Sequence, residues 1–117
     1  MNRHSAFALS LEQPSPELLD ALSGFFRLLS EPSRLRLLCA LKQGPCDVAT
    51  LMTLTGFSQS HISRQLSQLQ SAGLVSSRRS GNRLLYCADD PLVDDLCELV
   101  QSRLQQRLAA QLQGLKP

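Results

Sequence analysis

The chain lacks the features that mark a secreted or membrane-spanning protein. It has no tryptophan and one tyrosine, so a core has to be built mainly from aliphatic side chains. No apolar run approaches the ~20 residues that cross a bilayer, and the first dozen residues hold neither a sustained apolar segment nor a small-residue cleavage site. We therefore expect a cytoplasmic protein with no membrane partner.

The cysteines lack the spacing of a redox or zinc motif. Cys39, Cys46, Cys87 and Cys97 include no C-x-x-C pair. A leucine-rich domain of 117 residues can form a core without cross-links, and the cytosol is reducing. Free thiols are therefore favoured over two disulfides.

Acidic residues are missing from the middle of the chain. The stretch between Asp47 and Asp89 carries four arginines and no acid, whereas residues 89–98 hold five acids and no base. The formal net charge of +2 hides this division. A basic middle segment favours a polyanionic partner, although arginines that are only solvated remain the alternative.

Apolar residues recur at intervals of three and four over most of the length, which is the pattern of helices that bury one face. Pro14 and Pro16 are expected to open the first helix, and Pro32 the second, because proline suits the first helical turn. Asp47 is the expected N-cap of a short third helix. Ser58 is the expected N-cap of a fourth helix that runs to about Ala72, with Gly73 just past its end.

Two β-prone runs, residues 74–78 and 84–87, follow the fourth helix, and Gly81 and Asn82 between them favour a hairpin. From Pro91 a last long helix carries an apolar stripe along its length. We expect a mainly α protein with a small β-hairpin. Its predicted organisation is a flexible N-terminal arm over residues 1–14, one domain over 15–113 and a C-terminal tail over 114–117.

The third and fourth helices are joined by a short turn containing Gly56, which is the helix-turn-helix arrangement. Only the major groove of B-form DNA admits a helix and offers a distinct hydrogen-bonding pattern for each base pair. The outward positions of the fourth helix all carry hydrogen-bonding side chains and no acid: Ser58, Gln59, Ser60, His61, Ser63, Arg64, Gln65 and Ser67. A merely solvated face would normally include acidic residues, so we favour contact with DNA.

The hairpin fits the same interpretation as a wing, because basic residues flank its tip. They are expected to reach the phosphate backbone or the minor groove, whereas a surface hairpin with solvated arginines is the alternative. The predicted DNA-binding residues are Gln59, Ser60, His61, Ser63, Arg64, Arg78, Arg79, Asn82 and Arg83.

Four stretches together resemble the ArsR/SmtB winged-helix repressors: LSEPSRLRLL (29–38), GFSQSHISRQL (56–66), AGLV (72–75) and RRSGN (78–82). The likeness spans roughly residues 18–100. It implies a winged helix-turn-helix fold and a homodimeric repressor, paired through its first and last helices. Such a repressor leaves its operator when a metal ion or a small chemical signal arrives.

The last helix supports a dimer on separate grounds, because it carries more apolar surface than one small domain needs. An isologous pairing would bury that surface and set two recognition helices about 34–36 Å apart on a palindromic operator. The alternative is that this helix folds back on its own core.

The resemblance also bears on the inducing signal. Family members that sense soft metals carry a C-V-C pair where this chain has Asp47-Val48-Ala49, and others bind zinc or nickel through histidine on the last helix, which has none here. We therefore predict no metal site and no cofactor. Cys39 falls where thiol-sensing (BigR/SqrR/HlyU-like) members carry their first sensing cysteine, and their second lies further along the last helix than Cys97.

The signal-sensing hypothesis is that Cys39 and Cys97 form a disulfide or polysulfide bridge that distorts the DNA-binding geometry. The alternative is that both are small buried residues. Cys46, next to a helix start, is expected to have a lowered thiol pKa. Arsenite, which three converging thiols would suit, stays open as a competing inducer.

Three classes of function can be compared. The sequence favours a DNA-binding transcriptional repressor whose partners are double-stranded DNA, a second copy of the chain and a small chemical inducer. A helical protein-interaction module is the alternative. An enzyme is not expected, because no phosphate-cradling glycine motif is present and His61 has no acid near it in sequence.

Overall fold

The computed structural model describes residues 13–114, which form five helices and one two-stranded antiparallel sheet. In chain order these are α1 (Pro16–Leu29), α2 (Pro32–Lys42), α3 (Val48–Thr55), α4 (Gln59–Ser71), β1 (Ser76–Ser80), β2 (Arg83–Cys87) and α5 (Pro91–Gly114). The expected mainly helical architecture with one hairpin is confirmed. Residues 1–12 of the predicted arm and 115–117 of the predicted tail lie outside the described residues, and Gly114 ends α5 instead of starting a tail.

Side-chain caps fix where α3 and α4 begin. Asp47 Oδ1 accepts a hydrogen bond from the Thr50 backbone N–H at 2.8 Å. Ser58 Oγ accepts one from the His61 backbone N–H at 3.2 Å. Both predicted N-caps are therefore confirmed, and each satisfies a backbone donor that the first helical turn leaves free.

Gly56 makes the reversal between α3 and α4. It ends α3 in the left-handed region, with φ 76°, and its N–H donates to the Met52 carbonyl at 2.8 Å. A side chain at this φ would be strained, so glycine permits the helix to stop within one residue. Ser58 then starts α4 almost immediately, which sets the angle between the two helices.

The core is aliphatic and lies among α2, α3, α4 and the root of the hairpin. Its most deeply buried side chains are Leu37, Leu51, Ile62, Leu66 and Leu69. Three of these come from α4 at the predicted spacing, and each contributes about 1.5–3 kcal/mol by leaving water. The same packing leaves the opposite face of α4 to solvent.

The hairpin forms as predicted, but β1 begins two residues later than the expected run 74–78. Leu74 and Val75 are buried in the core and end the turn after α4 instead of starting a strand. The connection is a two-residue turn at Gly81 and Asn82, with positive φ at the glycine alone. That sign pattern is typical of a type II′ turn, whose twist suits a tight hairpin.

Among the described residues, the start of α5 is the part of this helix that contributes to the core. Val93 is buried, Leu96 and Cys97 are partly buried, and every side chain from residue 98 to 114 is exposed. None of the helices described is long and apolar enough to cross a membrane.

Candidate nucleic-acid interface

The polar side chains of α4 fall into two stripes beside its buried one. Gln59, Ser60, Ser63, Arg64 and Ser67 are exposed and form what we call the free stripe. His61, Gln65 and Gln68, spaced four and three residues apart, instead bond to α2 and form the tethered stripe. The sequence alone treats His61 and Gln65 as outward-facing, because it does not show which polar positions meet a neighbouring helix.

His61 is held between α2 and the turn before α4. Its Nε2 lies 3.0 Å from Ser33 Oγ, and its ring meets Phe57 edge to face with 5.0 Å between centroids. The side chain is therefore half-buried against α2 and lies apart from the exposed residues that the sequence grouped with it.

Arg34 of α2 bonds to the other two members of the tethered stripe. Its Nε donates to Gln65 Oε1 at 2.7 Å, and its second terminal nitrogen donates to Gln68 Oε1. Its first terminal nitrogen donates to the Leu28 carbonyl in the last turn of α1 at 3.1 Å. The sequence analysis missed this residue.

The wing carries three arginines, one of which pairs with an acidic residue outside the hairpin. Arg78 and Arg79 on β1 are exposed, as is Asn82 at the turn. Arg83 on β2 donates from Nε to Asp47 Oδ2 at 3.0 Å. All four predicted wing residues are therefore exposed, and Arg83 in addition pairs with the cap of α3.

The Asp47 carboxylate bonds to Thr50 and Arg83 together. Hydrogen bonds from Thr50 and then from Arg83 hold the pKa of Asp47 at about 2, below its ordinary value of 3.8. Because the carboxylate stays charged at neutral pH, it offsets part of the charge of the exposed Arg83. Within residues 13–114, Arg64, Arg78 and Arg79 form no such ion pair.

The root of the wing is fixed to the helix-turn-helix on both sides. Cys46 and Tyr86 exchange two backbone hydrogen bonds of 3.0 and 2.8 Å, which form an isolated antiparallel bridge beside β2. On the other side, Gln70 Nε2 of α4 donates to Ser77 Oγ at 3.0 Å. The wing therefore keeps a defined position beside α4.

Cys39 and Cys97 line the same cleft, of about 520 Å³, between α2 and α5. Cys39 is exposed and Cys97 is half-buried. Burial raises the pKa of the Cys97 thiol, and the nearby Cys39 raises it further. The alternative that both are buried core residues is wrong for Cys39.

Cys46 does not have the expected environment. It is buried, and this burial, followed by the charge of Asp47, raises its thiol pKa. The predicted lowering of this pKa is therefore wrong, because loss of water outweighs any benefit from the nearby helix start.

The cleft between α2 and α5 has an acidic rim. Lys42 Nζ pairs with Asp94 Oδ1 across it at 2.9 Å, which raises the pKa of Lys42. Asp89, Asp90 and Glu98 also line it. Within residues 13–114, no three His, Cys, Asp or Glu side chains come together in an arrangement that could hold a metal ion.

Two helices expose large apolar side chains. On α1 they include Leu19 and Phe26, each about half exposed. On α5 they are Leu92, Leu99, Val100, Leu104, Leu108 and Leu112, of which the last four recur at every fourth residue. Large exposed apolar surface is typical of an interaction site.

Comparison with known proteins places this arrangement among DNA-binding regulators. Residues 31–77, which contain α2, α3 and α4, match the family model described as bacterial regulatory protein, arsR family. The chain is 38% identical over 91 residues to a "Probable mercury resistance operon repressor" of Streptomyces lividans, covering 78% of this chain and 73% of that protein.

Two solved structures extend the similarity to the fold. The crystal structure of Rv0081 of Mycobacterium tuberculosis matches with a TM-score of 0.75 and 30% identity, covering 84% of this chain and 99% of that one. A homodimeric winged helix-turn-helix DNA-binding domain of Mycobacterium bovis, solved in solution, matches with a TM-score of 0.70 and 35% identity, covering 79% and 85%.

Proposed function

Since the chain belongs to the arsR family of bacterial regulatory proteins, whose members are transcriptional regulators and not enzymes, we propose that it is a homodimeric repressor of a palindromic operator. The observation that carries this proposal is the free stripe of α4, which is exposed, rich in hydrogen-bonding groups and free of acidic residues. A protein-interaction module would not need that combination beside a basic wing.

In the proposed complex, the free stripe enters the major groove. Gln59 suits an adenine edge and Arg64 a guanine edge, while Ser60 and Ser63 suit phosphate oxygens or bases. Arg78, Arg79 and Asn82 of the wing would contact the adjacent backbone or minor groove. We assign His61 and Arg83 a different role, holding α4 and the wing in place, because Ser33 and Asp47 already engage them.

Replacing Arg64 by alanine tests the proposed major-groove contact. The operator is first selected from a random duplex pool with the wild-type dimer, and affinities are then measured by fluorescence anisotropy. If Arg64 reads a base, the variant loses on the order of 1–3 kcal/mol on the selected site and much less on random DNA. Arg27→Ala, an equal loss of charge on α1, serves as the control and should leave that selectivity unchanged.

Failure of the wild-type protein to select any sequence would contradict the repressor proposal and favour the interaction module. An equal loss for Arg64→Ala on both kinds of DNA would instead show that Arg64 contacts a phosphate only.

For the inducing signal, we propose oxidation of the Cys39 and Cys97 thiols. Their shared cleft lies between α2 and α5. α2 is hydrogen-bonded to α4, the proposed recognition helix, and α5 carries exposed apolar side chains. With hydrogen peroxide, the two thiols lose two protons and two electrons to form one disulfide, and the peroxide becomes two waters. With hydrogen disulfide, the same thiols form the disulfide and release two molecules of hydrogen sulfide.

The thiol proposal predicts that peroxide or polysulfide releases the wild-type protein from its operator, with an intact mass lower by two hydrogens. Cys39→Ser and Cys97→Ser should each stay bound, because neither retains a pair. Cys46→Ala should respond like wild type, since its buried thiol has a raised pKa. Release of either serine variant by the oxidant would rule out the bridge.

Arsenite or a soft metal ion is the second candidate signal, because one relative is named as a probable mercury resistance operon repressor. Thiolate sulfur prefers soft metal ions, and the same two cysteines supply a pair of ligands. Stoichiometric mercuric ion or arsenite should then release the DNA without the loss of two hydrogens, while peroxide leaves the complex intact.

A further inference from the structure

One guanidinium group joins three helices of the molecule. Arg34, in the first turns of α2, donates separate hydrogen bonds to the Leu28 carbonyl of α1 and to Gln65 and Gln68 of α4. The side chain is half-buried, so these bonds are partly shielded from water. Arginine suits this task because its planar fork presents five N–H donors in fixed directions, whereas a lysine ammonium is a flexible point charge.

The two glutamines fix the rotation of α4 about its own axis. Gln65 and Gln68 lie one turn apart on the tethered stripe, and Arg34 bonds to both, so the helix cannot turn without breaking a bond. The free stripe lies beside the tethered one on the same helix. Arg34 is therefore placed to add to the buried residues of α4 in holding the direction in which Arg64 and its neighbours point.

The third bond connects this arrangement to α1. Leu28 belongs to the last turn of a helix whose exposed apolar residues, including Leu19 and Phe26, offer surface to a second copy. In a two-fold dimer, the position of α4 relative to the pairing helices sets the separation of the two recognition helices, which must match one turn of DNA, about 34–36 Å.

We infer that Arg34 is a positioning residue for operator recognition, which sets the orientation of α4 relative to α1 and thereby the half-site spacing that the dimer accepts. This inference rests on the proposed repressor function. It assigns Arg34 no contact with DNA, since its donors are directed to Leu28, Gln65 and Gln68.

The test compares Arg34→Gln and Arg34→Lys with Arg36→Gln, which removes an exposed arginine from the same helix. Affinity is measured on the selected operator, on random DNA and on operators with one base pair inserted or deleted between half-sites. Both Arg34 variants should lose about tenfold or more on the operator, comparable with one lost base contact. They should change little on random DNA and discriminate less between spacings.

Two further measurements separate positioning from other roles. The salt dependence of operator binding should keep its slope in Arg34→Lys and Arg34→Gln, because no phosphate contact is lost. In a double-mutant cycle, Gln65→Ala should cost little once Arg34 is already replaced, since the two act through one bond. Dimer dissociation and melting temperature, measured alongside, show whether each variant remains folded and paired.

The outcomes distinguish the inference from the function on which it rests. If wild type selects no operator, the repressor proposal fails. If wild type binds but Arg34→Lys retains full affinity and spacing preference, the charge alone is sufficient and the positioning role is wrong. Equal losses on operator and random DNA with a shallower salt slope would make Arg34 a phosphate contact, which also overturns it.

Discussion

At the level of single residues, the partner of a polar side chain decides its role. Arg64 and Arg83 are both exposed arginines in the acid-free middle of the chain, yet Arg83 pairs with Asp47 and Arg64 pairs with no acid of the described residues. His61 likewise turns to Ser33 and away from the free stripe. Residue type predicts which side chains can form hydrogen bonds. It does not predict which of them are already hydrogen-bonded to another part of the folded protein.

Asp47 gives a prediction on acid stability. Because its pKa is about 2 in the folded protein and 3.8 ordinarily, the unfolded chain binds the proton more readily. The stabilisation is therefore complete above about pH 4 and is lost as the pH falls toward 2. Asp47→Asn keeps a good N-cap but loses the pair with Arg83. It should melt lower than wild type at neutral pH.

The measurement is the melting temperature of both proteins by circular dichroism from pH 6 to pH 2. The difference between wild type and Asp47→Asn should shrink across the interval from about 4 to about 2. Arg83→Gln removes the other partner of the ion pair and serves as the matched variant. When Asp47→Asn is added to it, the difference in melting temperature should be smaller than in wild type. A gap that stays constant with pH would show that the charge of Asp47 does not stabilise the fold.

At the level of elements, periodicity predicts α4 well but leaves its polar surface undivided. The buried positions Ile62, Leu66 and Leu69 follow from spacing alone. The division between free and tethered stripes depends on the position of α2, because Arg34 and Ser33 reach α4 from there. These contacts are more than 25 residues apart in sequence, where a local pattern carries no information.

The hairpin shows the same limit in its strand ends. Gly81 and Asn82 predict the turn, since few residues tolerate its backbone geometry. The start of β1 depends on the core instead, because Leu74 and Val75 are buried before the strand begins. The backbone bridge between Cys46 and Tyr86 also has no sequence signal, because any pair of residues can make it.

At the level of the whole molecule, residues 98–114 of α5 are exposed, and burying their apolar side chains would take a second chain. Leu104 and Leu108 are exposed on the predicted stripe. An isologous dimer would bury each of these residues in both protomers. Leu104→Glu should therefore raise the dimer dissociation constant by about tenfold or more, because burying the exposed half of two leucines contributes roughly 1.5–3 kcal/mol in all.

Sedimentation velocity over a dilution series measures this constant, with Gln106→Glu on the opposite face of α5 as a control of equal added charge. Operator affinity should fall with the loss of dimer, since one recognition helix reads only half a palindrome. Unchanged dimerisation in Leu104→Glu would show that α5 does not supply the interface.

The sequence by itself determined the local features: the helices, the caps of α3 and α4, the hairpin turn, the aliphatic core and the absence of acidic residues from α4. These follow from periodicity, backbone preference and charge within a few neighbouring residues. Only the tertiary structure decided that His61 and Arg83 are engaged within the protein, that Cys46 is buried with a raised pKa, and that Arg34 joins α1 to α4. Each depends on water exclusion or on a bond between distant segments, which come into existence only when the helices pack.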